Sequence, residues 1–409
     1  MRLVARPSWI PTVTFCLALT PSVLGSTLGQ GAQSGSSLWA NQRFNILVVL
    51  EGPSDHTTAL VFQDIAQIVR GGLQDLGYPA RVVYCTNLVV DRCFVEGDRL
   101  IVLAPHNLAS YSLDGRSAVL ELQLLPPDAV LYNFEHVPGS SSSEVSKSSV
   151  ATSGQRDKSL VSARTLEIYA HFTLWDYSEG NVDNLREMGI RAELLPLGFS
   201  AELGVRNLYT GAIRREGGGG EDIDVLFIGM ETPLRKATIE RLRDAGIAVF
   251  HPNAAGRNLY GAEFDALSAK SKVVLNLNAF GATTTSNRCG SSSSGSSGIN
   301  DNEEITLSGA LCISGEWKMP RLTRLLANER FVISEMGGSP SERAQLAGGL
   351  VFVTSERLAE TCKYYLEKTD LRRAIAERGR QVIEARIEAD FLRGPVESLL
   401  QRTESIWGG

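Results

Sequence analysis

Residues 223–250, IDVLFIGMETPLRKATIERLRDAGIAVF, decide the fold. Ile223–Ile228 reads as a strand. Gly229 opens a short loop, residues 233–245 read as a helix closed by Gly246, and Ile247–Phe250 reads as a second strand. A strand, a helix and another strand in close succession make a parallel pair with a crossover helix.

The same alternation extends in both directions. Towards the C-terminus, Lys272–Asn276, Phe331–Ser334 and Leu350–Val353 read as strands, with helices at about 318–328, 355–367 and 370–386. Towards the N-terminus, Phe44–Leu50 is a continuous apolar run, as in a strand buried on both faces. Leu60, Ile65, Ile68, Val69, Leu73 and Leu76 then repeat at helical spacing over 58–76, stopping at Gly77. Further strands are predicted at Ala80–Tyr84, Arg99–Leu103, Ala129–Tyr132, Ala170–Leu174 and Ala192–Leu195. The run Gly217–Gly220 separates the two halves and is the candidate hinge. Residues 138–157 and the Ser/Gly-rich 281–302 read as inserts, because they hold almost nothing to bury. Two doubly wound parallel-sheet α/β domains facing a cleft follow, at 38–216 and 221–394.

Composition narrows the function classes. The 409 residues carry 40 Lys+Arg against 46 Asp+Glu, a net charge of −6, with 43% hydrophobic residues. A mildly acidic chain does not suit non-specific binding of nucleic acid, which needs a concentrated basic surface. No long apolar run follows the N-terminal region, so no membrane span is expected in the body. Residues 1–37 read as a leader. Arg2 and Arg6 precede a moderately apolar stretch and the small residues Gly25-Ser26, the order of a secretory signal. The expected route is the secretory pathway, as an ER or Golgi lumenal or a secreted protein. An organelle transit peptide is the alternative, since residues 1–43 contain no acidic residue. Six cysteines are too few and too scattered for a disulfide scaffold, and Cys85 and Cys93 lack zinc spacing.

In doubly wound domains ligands lie off the carboxyl ends of the strands. The chain has no HExxH, no Gly-x-Ser-x-Gly, no Walker A and no GxGxxG after a strand. Asp222 and Asp224 have the letters of a metal–nucleotide pair but precede their strand, where carboxylates commonly solvate an edge. No metal and no cofactor are expected. The loop after Phe227-Ile228 is more telling. Gly229 lets backbone approach a phosphate, while helix-end N–H groups with Arg235 and Lys236 in the first turn supply attraction. An exposed helix face would also account for the two cations.

Taken together, these segments resemble the donor-binding half of GT-B glycosyltransferases, in particular the spore-maturation (CgeB-like) branch. The resemblance rests on Gly229 to Arg235-Lys236, then Tyr260-Gly261, Ser271-Lys272 to Asn276, Arg321 to Asn328, Ser334-Glu335, and Gly349–Val353 with the two helices after it. Tyr132-Asn133-Phe134-Glu135-His136, Trp175–Ser178 with Asn181, and Pro196-Leu197-Gly198 extend it into the first half. It implies two Rossmann-like domains and a glycosyltransferase moving a sugar from a nucleotide-sugar donor to a glycan, lipid or protein acceptor, without a metal. It also implies a final segment, 395–409, whose helix packs back on the first domain.

The resemblance assigns donor and phosphate contacts to Gly229, Arg235, Lys236, Asn276, Arg321, Glu335 and Gly337, with Glu335 placed for the ribose hydroxyls. An inverting transfer needs a general base on the acceptor side, and Glu135, His136 and Asp176 stand at predicted strand ends there, with Glu51 a weaker fourth. Trp175 and Tyr177 suit either stacking on a sugar or core packing. Two positions depart from the branch: Lys318 stands where a Glu is usual, with Glu316 nearby, and Asn278 where a His is usual. These departures suit the alternative, a catalytically degenerate GT-B protein that binds a glycan or a partner.

Overall fold

The computed structural model describes residues 42–50, 56–85, 98–109, 125–137, 161–204, 221–252, 259–278 and 319–407. The leader, the inserts at 138–157 and 281–302, the run 217–220, and Glu51, Glu316 and Lys318 lie outside the described residues.

The first half contains β1 (Phe44–Val49), α1 (His56–Asp75), β2 (Ala80–Cys85), β3 (Arg99–Leu103), β4 (Val130–Asn133), α2 (Ala163–Tyr169), β5 (Thr173–Asp176), α3 (Glu179–Glu187), β6 (Ala192–Leu194) and the single turn α4 (Ala201–Gly204). The second half contains β7 (Ile223–Phe227), α5 (Pro233–Asp244), β8 (Val249–Phe250), α6 (Gly261–Ala269), β9 (Ser271–Asn276), α7 (Met319–Ala327), β10 (Val332–Glu335), α8 (Pro340–Gln345), β11 (Val351–Val353), α9 (Leu358–Leu366), α10 (Thr369–Glu384) and α11 (Glu388–Trp407).

The strands form two sheets, ordered β2-β1-β3-β4-β5-β6 and β11-β10-β9-β7-β8. Every pairing is parallel. All six residues of β1 are buried, five apolar and Asn45 with its amide donating to Asp98, as in a central strand covered on both faces. In each sheet the strand order reverses beside the first strand, between β1 and β3 and between β7 and β9. Those reversals are the positions where doubly wound sheets open a crevice.

Two elements depart from the sequence reading. The strand expected at Ala170–Leu174 is β5, Thr173–Asp176, because α2 continues to Tyr169. Ser162 caps α2 with Thr165 in a reciprocal box, and Ile168 and Tyr169 are buried on its inner face. His171 therefore sits exposed on a turn rather than at a strand start. The last helix begins at Glu388, not near 395, and runs through Pro395. Proline favours a helix start, but here Leu392, Val396, Leu399 and Leu400 are buried on both sides of it. That burial outweighs the lost N–H.

α11 lies against α1. A Cβ on Gly72 would stand 2.6 Å from Glu388 Cγ and 2.8 Å from Leu392 Cδ1, so only glycine permits this spacing. The segment entering α11 is laced to the loop after β6: Phe199 N–H donates to Arg386 O, Glu388 N–H to Phe199 O, and Gly198 N–H to Glu388 Oε2 at 2.5 Å. The halves also meet through Arg324 of α7, which grips Asp265 of α6 with two hydrogen bonds (2.7 and 2.8 Å) and pairs with Asp64 of α1. No helix among the described residues is long and apolar enough to cross a membrane.

Candidate functional site

The reversal point of the second sheet brings together Gly229 after β7, Asn276 and Asn278 at and after β9, and Glu335 at the end of β10. Arg321, in the first turn of α7, reaches the same place. A Cβ on Gly229 would lie 3.3 and 3.4 Å from the two terminal nitrogens of Arg321, so the glycine is what lets the guanidinium settle over the end of β7. Tyr260 lies within the field of Arg321. Burial pushes its hydroxyl pKa up, and the nearby cation works against that rise. Gly261 beside it has φ +59°, a conformation that side chains rarely adopt.

Glu335 is 4% exposed, and its Oε2 accepts the Asn278 N–H at 2.8 Å. Asn276 donates to Ser334 Oγ at 3.0 Å, and Asn278 to Met336 O at 2.8 Å. The amide oxygens of Asn276 and Asn278 are both buried with no hydrogen-bond partner among the described residues. Buried acceptors normally meet a donor, so each oxygen is a place where a further group can bind. Gly337 follows directly, and its carbonyl with that of Gly338 accepts from Arg343.

Arg235 and Lys236 do not join this cluster in the expected way. Arg235 is buried, with Nε and Nη2 donating to Leu277 O (3.2 and 2.8 Å), Nη1 donating to Met230 O (3.0 Å), and its guanidinium over the Phe227 ring. Arg235 thereby braces the loop after β7 against the end of β9. Lys236, one residue on, points to the exposed side of α5. The helix period separates them, because adjacent helical residues face about 100° apart.

In the first half, Asp176 is fully buried at the end of β5. Its Oδ2 accepts from Asn133 and Asn181 (2.7 and 3.1 Å), and its Oδ1 from Ser178 N–H and Asn181 (2.9 and 3.1 Å). Burial raises its carboxyl to about 8 despite these donors. Asp176 is thus the hub of an internal hydrogen-bond network. The hub serves the loop after β4: Asn133 and Asn181 both donate to Glu135 O (2.8 and 2.9 Å), and Val137 N–H donates to Asn181 Oδ1. Glu135 and His136, half-buried on that loop, are thus held by backbone. Trp175 and Tyr177 are buried core residues, with Tyr177 stacked on Phe134 at 5.3 Å, so neither offers a face to a sugar.

Sequence reasoning missed the reversal point of the first sheet. Ala104, after β3, has φ +53°, a strained conformation for a residue with a Cβ. It turns the chain so that Asn107 donates to Val49 O at 2.9 Å and His106 lies near Phe62. An alanine gives no hint of positive φ; the Pro105-His106-Asn107 run after a strand was the available signal.

The two halves touch along a small cleft lined by Tyr177, Leu194 and Leu197 on one side and Met319, Leu346 and Arg386 on the other. Across it Glu179 N–H donates to Glu342 Oε1 (3.2 Å), and Ser341 donates to the Glu179 carboxylate (2.6 and 2.7 Å). Asp224 pairs with Lys272 at the opposite end of its strand, away from this cleft, as an edge carboxylate does.

No family model and no curated protein matches the chain. Among solved structures it is similar to sucrose-phosphate synthase from Thermosynechococcus elongatus, at 11% identity and TM-score 0.50, over 88% of this chain and 100% of that one. It is also similar to Anabaena HepE in complex with UDP-glucose, at 12% identity and TM-score 0.50, over 87% and 99%. At such identity the likeness speaks for architecture, and the chain has the two-domain parallel-sheet fold of the GT-B glycosyltransferases.

Proposed function

We propose that this chain is a glycosyltransferase that takes a nucleotide-sugar donor at the carboxyl end of the second sheet. The observation that carries the reading is the seating of Arg321 against Gly229 at the strand-order reversal, beside two buried amide oxygens with unmet hydrogen bonds. A fixed cation there suits a diphosphate, and unmet acceptors beside Glu335 suit hydroxyl donors such as those of a ribose. The UDP-glucose complex of the similarly folded HepE supports a nucleotide-sugar as the class of ligand.

In the transfer, an acceptor oxygen attacks the anomeric carbon while the bond from that carbon to the diphosphate oxygen breaks. The electron pair leaves on the diphosphate, where Arg321 offsets the growing charge without a metal. In an inverting reaction the acceptor proton passes to a base on the first half, and Glu135 and His136 are its candidates. His106, at the first sheet's reversal point, joins them. The acceptor is a glycan, lipid or protein. The order of the matching segments supports the CgeB-like branch as the finer reading. Cys85 is disulfide-bonded, which supports an oxidising compartment and hence the secretory route.

A second reading has its own observation. Arg235 and Asp176, two residues expected in the chemistry, are both committed to internal contacts, as in a degenerate member that only binds a glycan or partner. Incubating the full chain with a panel of radiolabelled nucleotide-sugars and mixed glycan, lipid and protein acceptors separates the two. Donor-dependent transfer or donor hydrolysis, lost in Arg321→Ala, supports the enzyme. Binding of donor or of an acceptor glycan with neither reaction supports the degenerate reading, and binding of neither refutes both.

A further inference from the structure

His251 follows β8 and plays no part in the reading so far. Its side chain is 1% exposed, and its ring lies 5.0 Å from the ring of Phe227, at the end of β7. Nε2 is 3.2 Å from Gly229 O, and because a carbonyl oxygen only accepts, Nε2 carries the proton. Nδ1 stands 3.7 Å from Glu231 Oε2, beside the loop's one acidic side chain. Arg235 acts on the next peptide, where its Nη1 donates to Met230 O at 3.0 Å. Two consecutive carbonyls of the loop are therefore tied to two buried side chains that share one aromatic ring, Phe227.

The consequence lies in peptide geometry. In a trans peptide the C=O and the following N–H point in opposite directions, and no described peptide here is cis. Fixing the carbonyls of Gly229 and Met230 against His251 and Arg235 turns the N–H groups of Met230 and Glu231 the other way. Met230 is 62% exposed, and no partner among the described residues takes either N–H. Paired backbone N–H groups are an anion receptor, and Arg321 already sits against the glycine that opens this loop.

We infer that His251 and Arg235 are positioning residues that aim the N–H groups of Met230 and Glu231 at the diphosphate of the donor. The inference rests on the proposed donor site and changes how that site works. Arg235 contributes by holding backbone rather than by touching phosphate. His251 does the same.

Calorimetric titration of the full chain with inorganic pyrophosphate, UDP and uridine tests this on the wild type, His251→Leu, His251→Gln and Met230→Pro. Gln retains a donor near the Nε2 position, Leu removes it, and proline deletes one of the two N–H groups at an exposed residue. Pyrophosphate is expected to bind wild type and His251→Gln alike, and His251→Leu and Met230→Pro about tenfold more weakly, the worth of one hydrogen bond to a charged group. Any uridine binding should be unchanged, which a general loss of structure would not spare. The inference is overturned if wild type does not bind pyrophosphate, or if a folded His251→Leu binds it as tightly as wild type. Should His251→Leu not fold, Met230→Pro decides by the same criterion. His251-dependent pyrophosphate binding without any nucleotide-sugar binding would refute the proposed function alone. Nucleotide-sugar transfer indifferent to these variants would refute the inference alone.

Discussion

At the end of β5, Asp176 is sealed by Asn133, Asn181 and the Ser178 N–H, so that four contacts converge on one carboxylate with no solvent. At the equivalent end of the second sheet, Asn276 and Asn278 keep amide oxygens with no donor among the described residues, and a glycine clears room for a guanidinium. Both regions are buried, polar and placed at strand ends. They differ in whether the protein satisfies its own polar groups. A satisfied network fixes a shape, whereas an unsatisfied one beside a cation leaves free energy for a ligand to recover.

The largest expected effect separates the two regions outright. Arg321→Ala should lower the rate of sugar transfer by about a hundredfold or more, the usual worth of one group that stabilises developing charge, with little change in the thermal midpoint. Asp176→Leu should do the reverse. It leaves the Asn133, Asn181 and Ser178 donors without an acceptor and should cost on the order of 3 kcal/mol of stability, read by denaturant titration, with any loss of rate secondary. If Asp176→Leu kept its stability and lost its rate instead, Asp176 would act in the chemistry.

A third outcome concerns pH. Burial raises the Asp176 and Glu388 carboxyls from 3.8 and 4.5 to about 8 in the folded chain. The folded state thus keeps protons that the unfolded chain releases above pH 4–5. Stability should be full at or below that range and decline as pH rises towards 8, by an amount on the order of a few kcal/mol. Glu388 is the cleaner probe, since its Oε2 holds Gly198 N–H and its Oε1 has no partner among the described residues. Glu388→Gln should flatten the decline, and unfolding scans at pH 5 and pH 8 check it.

Smaller effects sharpen the second region. A methyl on Gly229 would sit 3.0 Å from Phe227 Cζ and crowd Arg321. Gly229→Ala should weaken donor binding about tenfold, a shift of ~1.4 kcal/mol, with the fold intact. Lys236→Ala, on the exposed side of α5, should change donor affinity by less than about threefold, as a screened surface charge does. A larger loss there would restore the expectation that the cation pair itself meets the phosphate.

How far the sequence could be read follows the same division. Apolar runs such as Phe44–Val49 locate central strands because burial on both faces leaves a local composition signal. Gly229 was a site candidate because a glycine after a strand has a local rationale, whereas Arg321 entered through the family resemblance alone. The internal contacts of Asp176 and Arg235 were not legible. Whether a carboxylate meets amide donors or solvent depends on Asn133, 43 residues away and on a neighbouring strand. Arg235 likewise turns on Leu277 O, supplied by the end of β9. The positive φ of Ala104 and the uninterrupted α11 through Pro395 were hidden too, since each sets tertiary packing against a local preference.

The most direct measurement is the affinity of the full chain for a panel of nucleoside diphosphates and nucleotide-sugars, compared between wild type and Arg321→Ala. The expected result is that one nucleotide class binds wild type and that Arg321→Ala binds it at least tenfold more weakly, with an unchanged unfolding midpoint. Equal affinity in the two proteins, or no binding to a well-folded wild type, would contradict a donor site at the end of the second sheet.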